Sequence, residues 1–434
     1  MKKRFSFIVC GLMCASCSIT NLFTPKATIL KEPSAFRSNI KKGLEFDELA
    51  QNIRDFSGIF AFESAKSLDD KSTNNVVSPL SMYSALSVAA ACSSGATKVQ
   101  LLSALQTNEE LLTNEFADIY SASNYLRSFD SDRKVVKKEE LTNSIWIDKN
   151  VEFKSEMLNY IADKFFSYSV SVDWKKDNKK ANRQMSKFVE EKTNGLISPK
   201  FEFNIDTMFT ILNTLYLKSL WNSNSDELDT SDERFTFTNR DDSTKELELL
   251  VTKYQEGRIL RTEKYSSFFA ETCSGDRIKF IVPNDGVKLE DIVTSENISV
   301  INNELYKGFD EENNTMYFGK TYFPGFEGET KIDAKNILES MGIVDFFERG
   351  VCNFSGLTDS SVYCDEVQHV AKLKVDKKGI EGAAYTAIAM KGEMAPLEPE
   401  YKEVYEEFVV DKSFYFVVSD HNNLPLFSGI VNKI

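Results

Sequence analysis

Apolar positions recur at helix spacing early in the chain and at strand spacing later. Phe46, Leu49, Ile53, Phe56 and Phe60 fall on one helical face. "SPLSMYSALSVAAACSSGA" offers Ser78 as an N-cap and Pro79 at the first helical position, and predicts an apolar, small-residue helix running to Gly95. "KANRQMSKFVEEKTNGLIS" predicts a helix closed by Asn194-Gly195, and "AKNILESMG" a shorter one. "MFTILNTLYL" is a nearly continuous apolar run, the pattern of a buried central strand. "DRIKFIVPNDG" reads as a strand entering a turn. "HVAKLKVD" alternates and puts His369, Ala371, Leu373 and Val375 on one face. The C-terminus reads strand ("SFYFVV"), turn ("SDHNN"), strand ("LPLFSGIV"). Helices first and strands later predict an α+β fold.

One stretch fits neither period comfortably. In "DKKGIEGAAYTAIAMKGEMAP", residues 376–396, small residues crowd beside good strand sequence. Read with period two, one face is Ile380, Gly382, Ala384, Thr386, Ile388 and Met390, and carries no charge. The other carries Glu381, Tyr385 and Lys391 among alanines. Very acidic sequence, "LEPEYKEVYEE", follows. The stretch reads as an exposed loop that retains the pattern of a strand.

The 434 residues hold no internal repeat and no Pro/Gly linker after residue 45, which predicts one large domain over residues 46–434. Hydrophobic residues are 42% and charged residues 27%, ordinary for a globular chain. Lys and Arg number 52 against 66 Asp and Glu, a net charge of −14 that argues against a general nucleic-acid binder. Met1-Lys2-Lys3-Arg4 followed by "FSFIVCGLMCAS" reads as an export signal over residues 1–16, too short to span a bilayer. "CASC" resembles a loose bacterial lipobox with Cys17 as the lipidated residue, and residues 17–45 read as a tether. The expected location is therefore the cell envelope or surface, or the medium if Cys17 is not lipidated. Cys352 and Cys364 suit either a disulfide formed after export or two buried thiols.

Candidate chemistry is sparse. Two histidines, His369 and His421, are poor material for a zinc site or a Ser-His-Asp triad. His369 on an interior strand face reads as a hydrogen-bonded structural residue. No phosphate-cradling glycine loop appears. The sequence suggests no enzyme, no metal and no cofactor.

Taken in order, six segments resemble the serpin family: "NVVSPLSMYSALSVAAACSSGATKVQL", "FVEEKTNGLIS", "LNTLYLKSLW", "FPGFEGETKIDAKNILESMGIVDFF…CNFSGL", "EVQHVAKLKVDKKGIEGAAYTAIAM" and "FVVDKSFYFVV…LPLFSGIVN". They span nearly the whole chain from about residue 46. The resemblance implies a serpin fold of three β-sheets and about eight or nine helices, with an exposed reactive-centre loop. It implies suicide inhibition of serine peptidases, with cysteine peptidases as a second target class, by a monomer that contributes no catalytic residue. Ser78, Ser81, Asn213 and His369 match the family's shutter positions beneath the main sheet, and Trp221 the position where the loop first enters it. The hinge falls on Gly379, Ile380, Glu381, Gly382, Ala383 and Ala384. The family's count from the hinge glycine puts the reactive bond at Glu393–Met394, with Met394–Ala395 and Lys391–Gly392 as rivals. Two departures stand out. Lys377 replaces the usual glutamate and Gly325 its basic partner, which predicts that a local ion pair is absent, and Ile380 stands where Thr or Ser is usual. The alternative within the same fold is a binding or structural surface lipoprotein that does not inhibit.

Overall fold

The computed structural model describes residues 27–34, 43–44, 47–68, 70–124, 126–129, 134–221, 227–364, 367–380 and 401–434. The chain begins with β1 (Thr28–Lys31), α1 (Glu48–Ser67), β2 (Asn75–Val77), α2 (Pro79–Cys92), α3 (Gly95–Ala104) and α4 (Glu109–Ala122). It continues through β3 (Lys134–Asp148), α5 (Ser155–Lys164), β4 (Ser167–Val172), α6 (Trp174–Lys192) and β5 (Phe209–Leu220). The second half is mostly strand: β6 (Tyr265–Glu271), β7 (Arg277–Pro283), α7 (Ser295–Asn303), β8 (Thr315–Phe323), β9 (Phe326–Asp333), α8 (Lys335–Ser340) and β10 (Gln368–Val375). It closes with β11 (Gly379–Ile380), β12 (Lys402–Val409), β13 (Phe414–Ser419) and β14 (Pro425–Val431). Eight α-helices among the described residues match the α+β expectation.

Three large sheets organise these elements, with a separate two-stranded hairpin of Phe235–Thr238 and Thr244–Leu247. The main sheet runs β1-β4-β3-β5-β11-β10-β9, with the short strand Leu126–Phe129 added to β3. A second sheet runs β6-β7-β13-β14-β2 beyond the two-residue strand Leu260–Arg261. The third is built around β8, to which β12 pairs in parallel from Thr315↔Lys402 to Tyr322↔Val409.

The predicted elements sit where the patterns put them. β5 is buried along most of its length, as its apolar run requires. On β10, His369, Ala371, Leu373 and Val375 are the buried set. α2 carries no charge and is buried on all sides, so it lies inside the molecule between β5 and β14. α6 is amphipathic. Its Trp174, Ala181, Met185 and Val189 pack on Trp146, Val170 and Leu212 and cover one face of β3, β4 and β5. It stops where Asn194 and Gly195 take φ of 53° and 82°.

β5 and β10, sequential in space, share no hydrogen-bonded ladder among the described residues. β11 stands between them, only two residues long, pairing Gly379 with Leu220, Ile380 with Ser219 and Ile380 with Val375. Among the described residues a narrow cleft lies between the two strands. It is lined by Asn213 and Thr214 of β5, Gln368 and Val370 of β10, and Val189 and Thr193 of the α6 region.

Candidate functional site

Polar side chains gather behind this cleft. Ser78 occupies the N-cap position of α2, but its hydroxyl does not cap the helix. It donates to the Leu426 carbonyl at 2.8 Å, which ties α2 to β14. The Ser78 N–H donates to His369 Nε2 at 3.1 Å. His369 must therefore leave Nε2 unprotonated, and burial lowers its pKa to about 4. From the other lip, Asn213 accepts a hydrogen bond from the Ser81 hydroxyl. Its amide donates to Asn143 Oδ1 at 2.6 Å. Asn143 also accepts from Ser84 at 2.8 Å and donates to the Phe165 carbonyl at 2.9 Å. Asn213 and His369 thus stand on opposite strands, β5 and β10, each held from behind by the first turns of α2. The sequence singled out Ser78, Ser81, Asn213 and His369. It missed Asn143 and Ser84, which complete the network from β3 and α2.

The top of the cleft is closed by the turn from β10 to β11. Trp221 is buried, and its indole N–H donates to the Asp376 carbonyl at 2.6 Å while its backbone N–H reaches the Lys378 carbonyl at 3.3 Å. Ile380 is fully buried, so an apolar residue fits where the resemblance led one to expect Thr or Ser. A Cβ on Gly379 would lie 2.3 Å from the Ser219 carbonyl oxygen, a backbone atom that cannot move aside. Gly325 has no side chain to pair with residue 377, but Lys377 has a partner from another segment. Lys377 Nζ lies 2.5 Å from Glu227 Oε2, and Lys378 Nζ 3.9 Å from Glu227 Oε1. The Glu227 hydrogen bond raises the Lys377 pKa. The family partner position could not show this, because the acid comes from a different segment. Gly325 itself sits against the Val375 carbonyl and Asp376.

Directly behind β11 lies a buried ionic cluster that the sequence did not announce. Lys137 of β3 contacts Glu139 at 2.8 Å and Asp276 at 2.5 Å, with all three side chains out of water. Asp276 also accepts from Ser219 at 2.6 Å and Ser274 at 2.9 Å. Burial alone would lower the Lys137 pKa, but the Glu139 and Asp276 carboxylates hold it above its ordinary value. Burial pushes the Glu139 carboxyl up, against the pull of Lys137. Ser219 pairs across the sheet with both Lys137 and Ile380, so the cluster anchors the strand that receives the hinge. The hinge residues Glu381, Gly382, Ala383 and Ala384, the bond candidates Lys391, Glu393, Met394 and Ala395, and Cys17 lie outside the described residues. No disulfide joins Cys352 and Cys364, and burial pushes the Cys352 thiol up to about 11.

The histidine makes a pH prediction with a definite sign. The unfolded chain takes up a proton near pH 6.5 while buried His369 resists until about pH 4. Its contribution to stability is full above about pH 6.5 and is lost as pH falls toward 4, by about 3 kcal/mol in all. Denaturation midpoints measured across this window for the wild type and His369→Gln should converge as pH falls. Parallel curves would contradict the assignment.

The family described as Serpin (serine protease inhibitor) matches residues 57–434. An uncharacterised serpin-like protein of Methanosarcina acetivorans is 25% identical over 435 aligned positions, covering 99% of this chain and 96% of its own. In three dimensions the chain is similar to Tengpin, a thermophilic serpin in the native state, with a TM-score of 0.71, 22% identity and coverage of 94% and 100% of the two chains. It is also similar to human thyroxine-binding globulin complexed with thyroxine, with a TM-score of 0.70, 18% identity and coverage of 90% and 99%. The parted main sheet, the network behind it and a family match over most of the chain lead to one conclusion: this protein belongs to the serpin family.

Proposed function

We propose that the protein is a suicide inhibitor of serine endopeptidases, with cysteine endopeptidases as a second target class. The observation that carries this reading is that β5 and β10 share no ladder among the described residues, with β11 (Gly379–Ile380) lying between them. The loop that follows has the composition to fill the rest: one uncharged face from Ile380 to Met390. A target peptidase attacks the carbonyl of Glu393. Its nucleophilic oxygen or sulfur forms the acyl bond, and the amine of Met394 leaves. The freed segment from Ile380 to the bond, about 50 Å when extended, enters the cleft beside β5. At about 1 kcal/mol net per hydrogen bond, the added ladder releases on the order of 10 kcal/mol. That is enough to drag the acylated peptidase across the molecule and distort its oxyanion hole before water completes the cycle.

The hinge supports this reading because its parts are held by contacts that can be exchanged. Residues 376–378 are held to the rest of the fold by the indole and backbone N–H of Trp221, the Leu228 N–H on the Lys377 carbonyl at 2.7 Å and the exposed contacts of Lys377 and Lys378 with Glu227. The proposal places the protein outside the cytoplasm, with Cys17 lipidated and the domain acting as a monomer.

Three outcomes are expected. Incubation with elastase-, chymotrypsin-, trypsin- and Glu-specific peptidases gives, with at least one of them, a covalent complex that survives a denaturing gel, and a released peptide whose mass begins at Met394. Clean cleavage by every member of the panel, with no complex, sinks the inhibitory reading. Lys377→Glu sets like charges against Glu227 and speeds the spontaneous loss of inhibitory activity on warming, and adding Glu227→Lys restores the wild-type rate. If the double variant decays as fast as the single one, the pair does not hold the hinge. Labelled fatty acid fed to expressing bacteria labels the wild type and not Cys17→Ser. Equal labelling of both excludes that cysteine as the anchor.

A further inference from the structure

The charge of this acidic chain is unevenly placed. α6 presents Lys175, Lys176, Lys179, Lys180, Arg183 and Lys187 to solvent or partly so, opposite its buried Trp174, Ala181, Met185 and Val189. Its acids are Asp177 and, at the C-terminal end, Glu190 and Glu191. Among the described residues no carboxylate pairs within 4 Å with the side-chain cations of Lys175, Lys179, Lys180 or Arg183, and Lys187 reaches Glu191 only at 3.8 Å. The backbone kinks at Asp177, and beyond it Lys179, Lys180, Arg183 and Lys187 share one helical face, an uneven concentration of cations for a chain of net charge −14.

The first described residues pack under α6. β1 forms the outer edge of the main sheet against β4, and Ala27, just before it, packs on the same cluster that α6 buries. On that edge Ile29 is 48% and Leu30 52% exposed. Cys17 precedes Ala27 by ten residues, a reach of at most about 35 Å. This end of the sheet is also the far end from the hinge. β1 and β4 pair at the level of Ile211 on β5, whereas Ile380 pairs with Ser219. Eight residues of strand separate the two levels, about 27 Å.

We propose that the basic face of α6, with the exposed apolar edge of β1, is a docking surface for an anionic membrane. Exposed aliphatics beside a cluster of lysines are the combination that binds anionic lipid at the interface. Docking there turns the hinge end of the sheet away from the bilayer, where a peptidase can reach the loop. The orientation rests on the anchor reading above, but the surface itself can be tested without it. The same helix lines the cleft through Val189 and Thr193, so a docked α6 also bears on the opening of the sheet.

The test uses the full chain carrying Cys17→Ser, so that no lipid contributes. Flotation with vesicles of phosphatidylcholine, alone or mixed with phosphatidylglycerol, gives the phosphatidylglycerol-dependent increment in binding, which salt should release. Adding Lys179→Glu, Arg183→Glu and Lys187→Glu should weaken that increment on the order of a hundredfold. Lys245→Glu, Lys264→Glu and Lys307→Glu make the same change in net charge at exposed sites elsewhere and should leave it nearly intact. Circular dichroism confirms that both variants fold. Equal loss in both triple variants, no loss in the α6 variant, or no phosphatidylglycerol-dependent increment in the parent overturns the proposal. Binding to soluble dextran sulfate without binding to vesicles also overturns it, in favour of a soluble polyanion. None of these readings involves a peptidase, so they stand or fall apart from the inhibitory function.

Discussion

Two neighbouring strands that share no ladder among the described residues, with Gly379 and Ile380 between them, set the terms for the rest of this structure. Backbone N–H and C=O groups in a protein interior need partners, and two neighbouring strands that share no ladder leave a row of them facing a gap. Here the gap is tolerable because it is backed by polar side chains rather than by a closed apolar core. The hydroxyls of Ser78, Ser81 and Ser84, the amides of Asn143 and Asn213, and the His369 imidazole form a layer between α2 and the sheet. α2 can deliver three serines to that layer because its other positions are small or apolar and the helix is buried throughout. A bulky or charged helix in the same place would either fill the cleft or bring water into it.

The same gap explains what the hinge glycine does. Sequence composition suggests that Gly379 is there for backbone freedom. The structure shows a steric reason instead: the Ser219 carbonyl occupies the place of any Cβ, so only glycine can start the inserted strand. Ile380 follows, fully buried, and the ionic cluster of Lys137, Glu139 and Asp276 holds Ser219 from behind. A buried charge cluster is costly in itself, because desolvation offsets much of the attraction. It fixes geometry all the same. Three charges and two serine hydroxyls define the position of one residue of β5, and that residue receives the hinge.

Much of this was legible in the sequence. β5, β10, β13, β14, α1, α2 and α6 follow from apolar period and stop signals, and the family resemblance pointed to Ser78, Ser81, Asn213 and His369, which gather behind the cleft. β3 did not. Its "KVVKKEEL" start reads as surface, and only the fold reveals that Lys137 and Glu139 neutralise each other out of water. The Lys377–Glu227 pair was equally invisible, since the partners are 150 positions apart and the family's usual acid and base are both replaced. Ser78 shows a subtler limit. The capping pattern located the start of α2 correctly, yet the hydroxyl serves β14 instead. Local rules place a residue, but tertiary contacts decide which of its hydrogen bonds is used.

The two ends of the cleft are held by different kinds of force, and this ordering matters for any strand that enters. At the hinge end the turn from β10 to β11 is held by a few hydrogen bonds and an ion pair at the surface, each of which water can replace at small net cost, although Trp221 and Ile380 beside it are buried. At the other end α6 lies across the sheet on buried aromatic and aliphatic side chains, Trp174 and Met185 against Trp146 and Leu212. Apolar packing has no such substitute in water, and separating it costs in proportion to the area exposed. A strand extending from Ile380 therefore meets the weaker restraints first and the stronger last. A strand continuing antiparallel from Ile380 would reach the level of Asn213 at residue 386, with about half of the segment up to Glu393 paired before it met the α6 packing. On the proposed mechanism, insertion begins against the weaker restraints, and its completion depends on the bonds gained along the way.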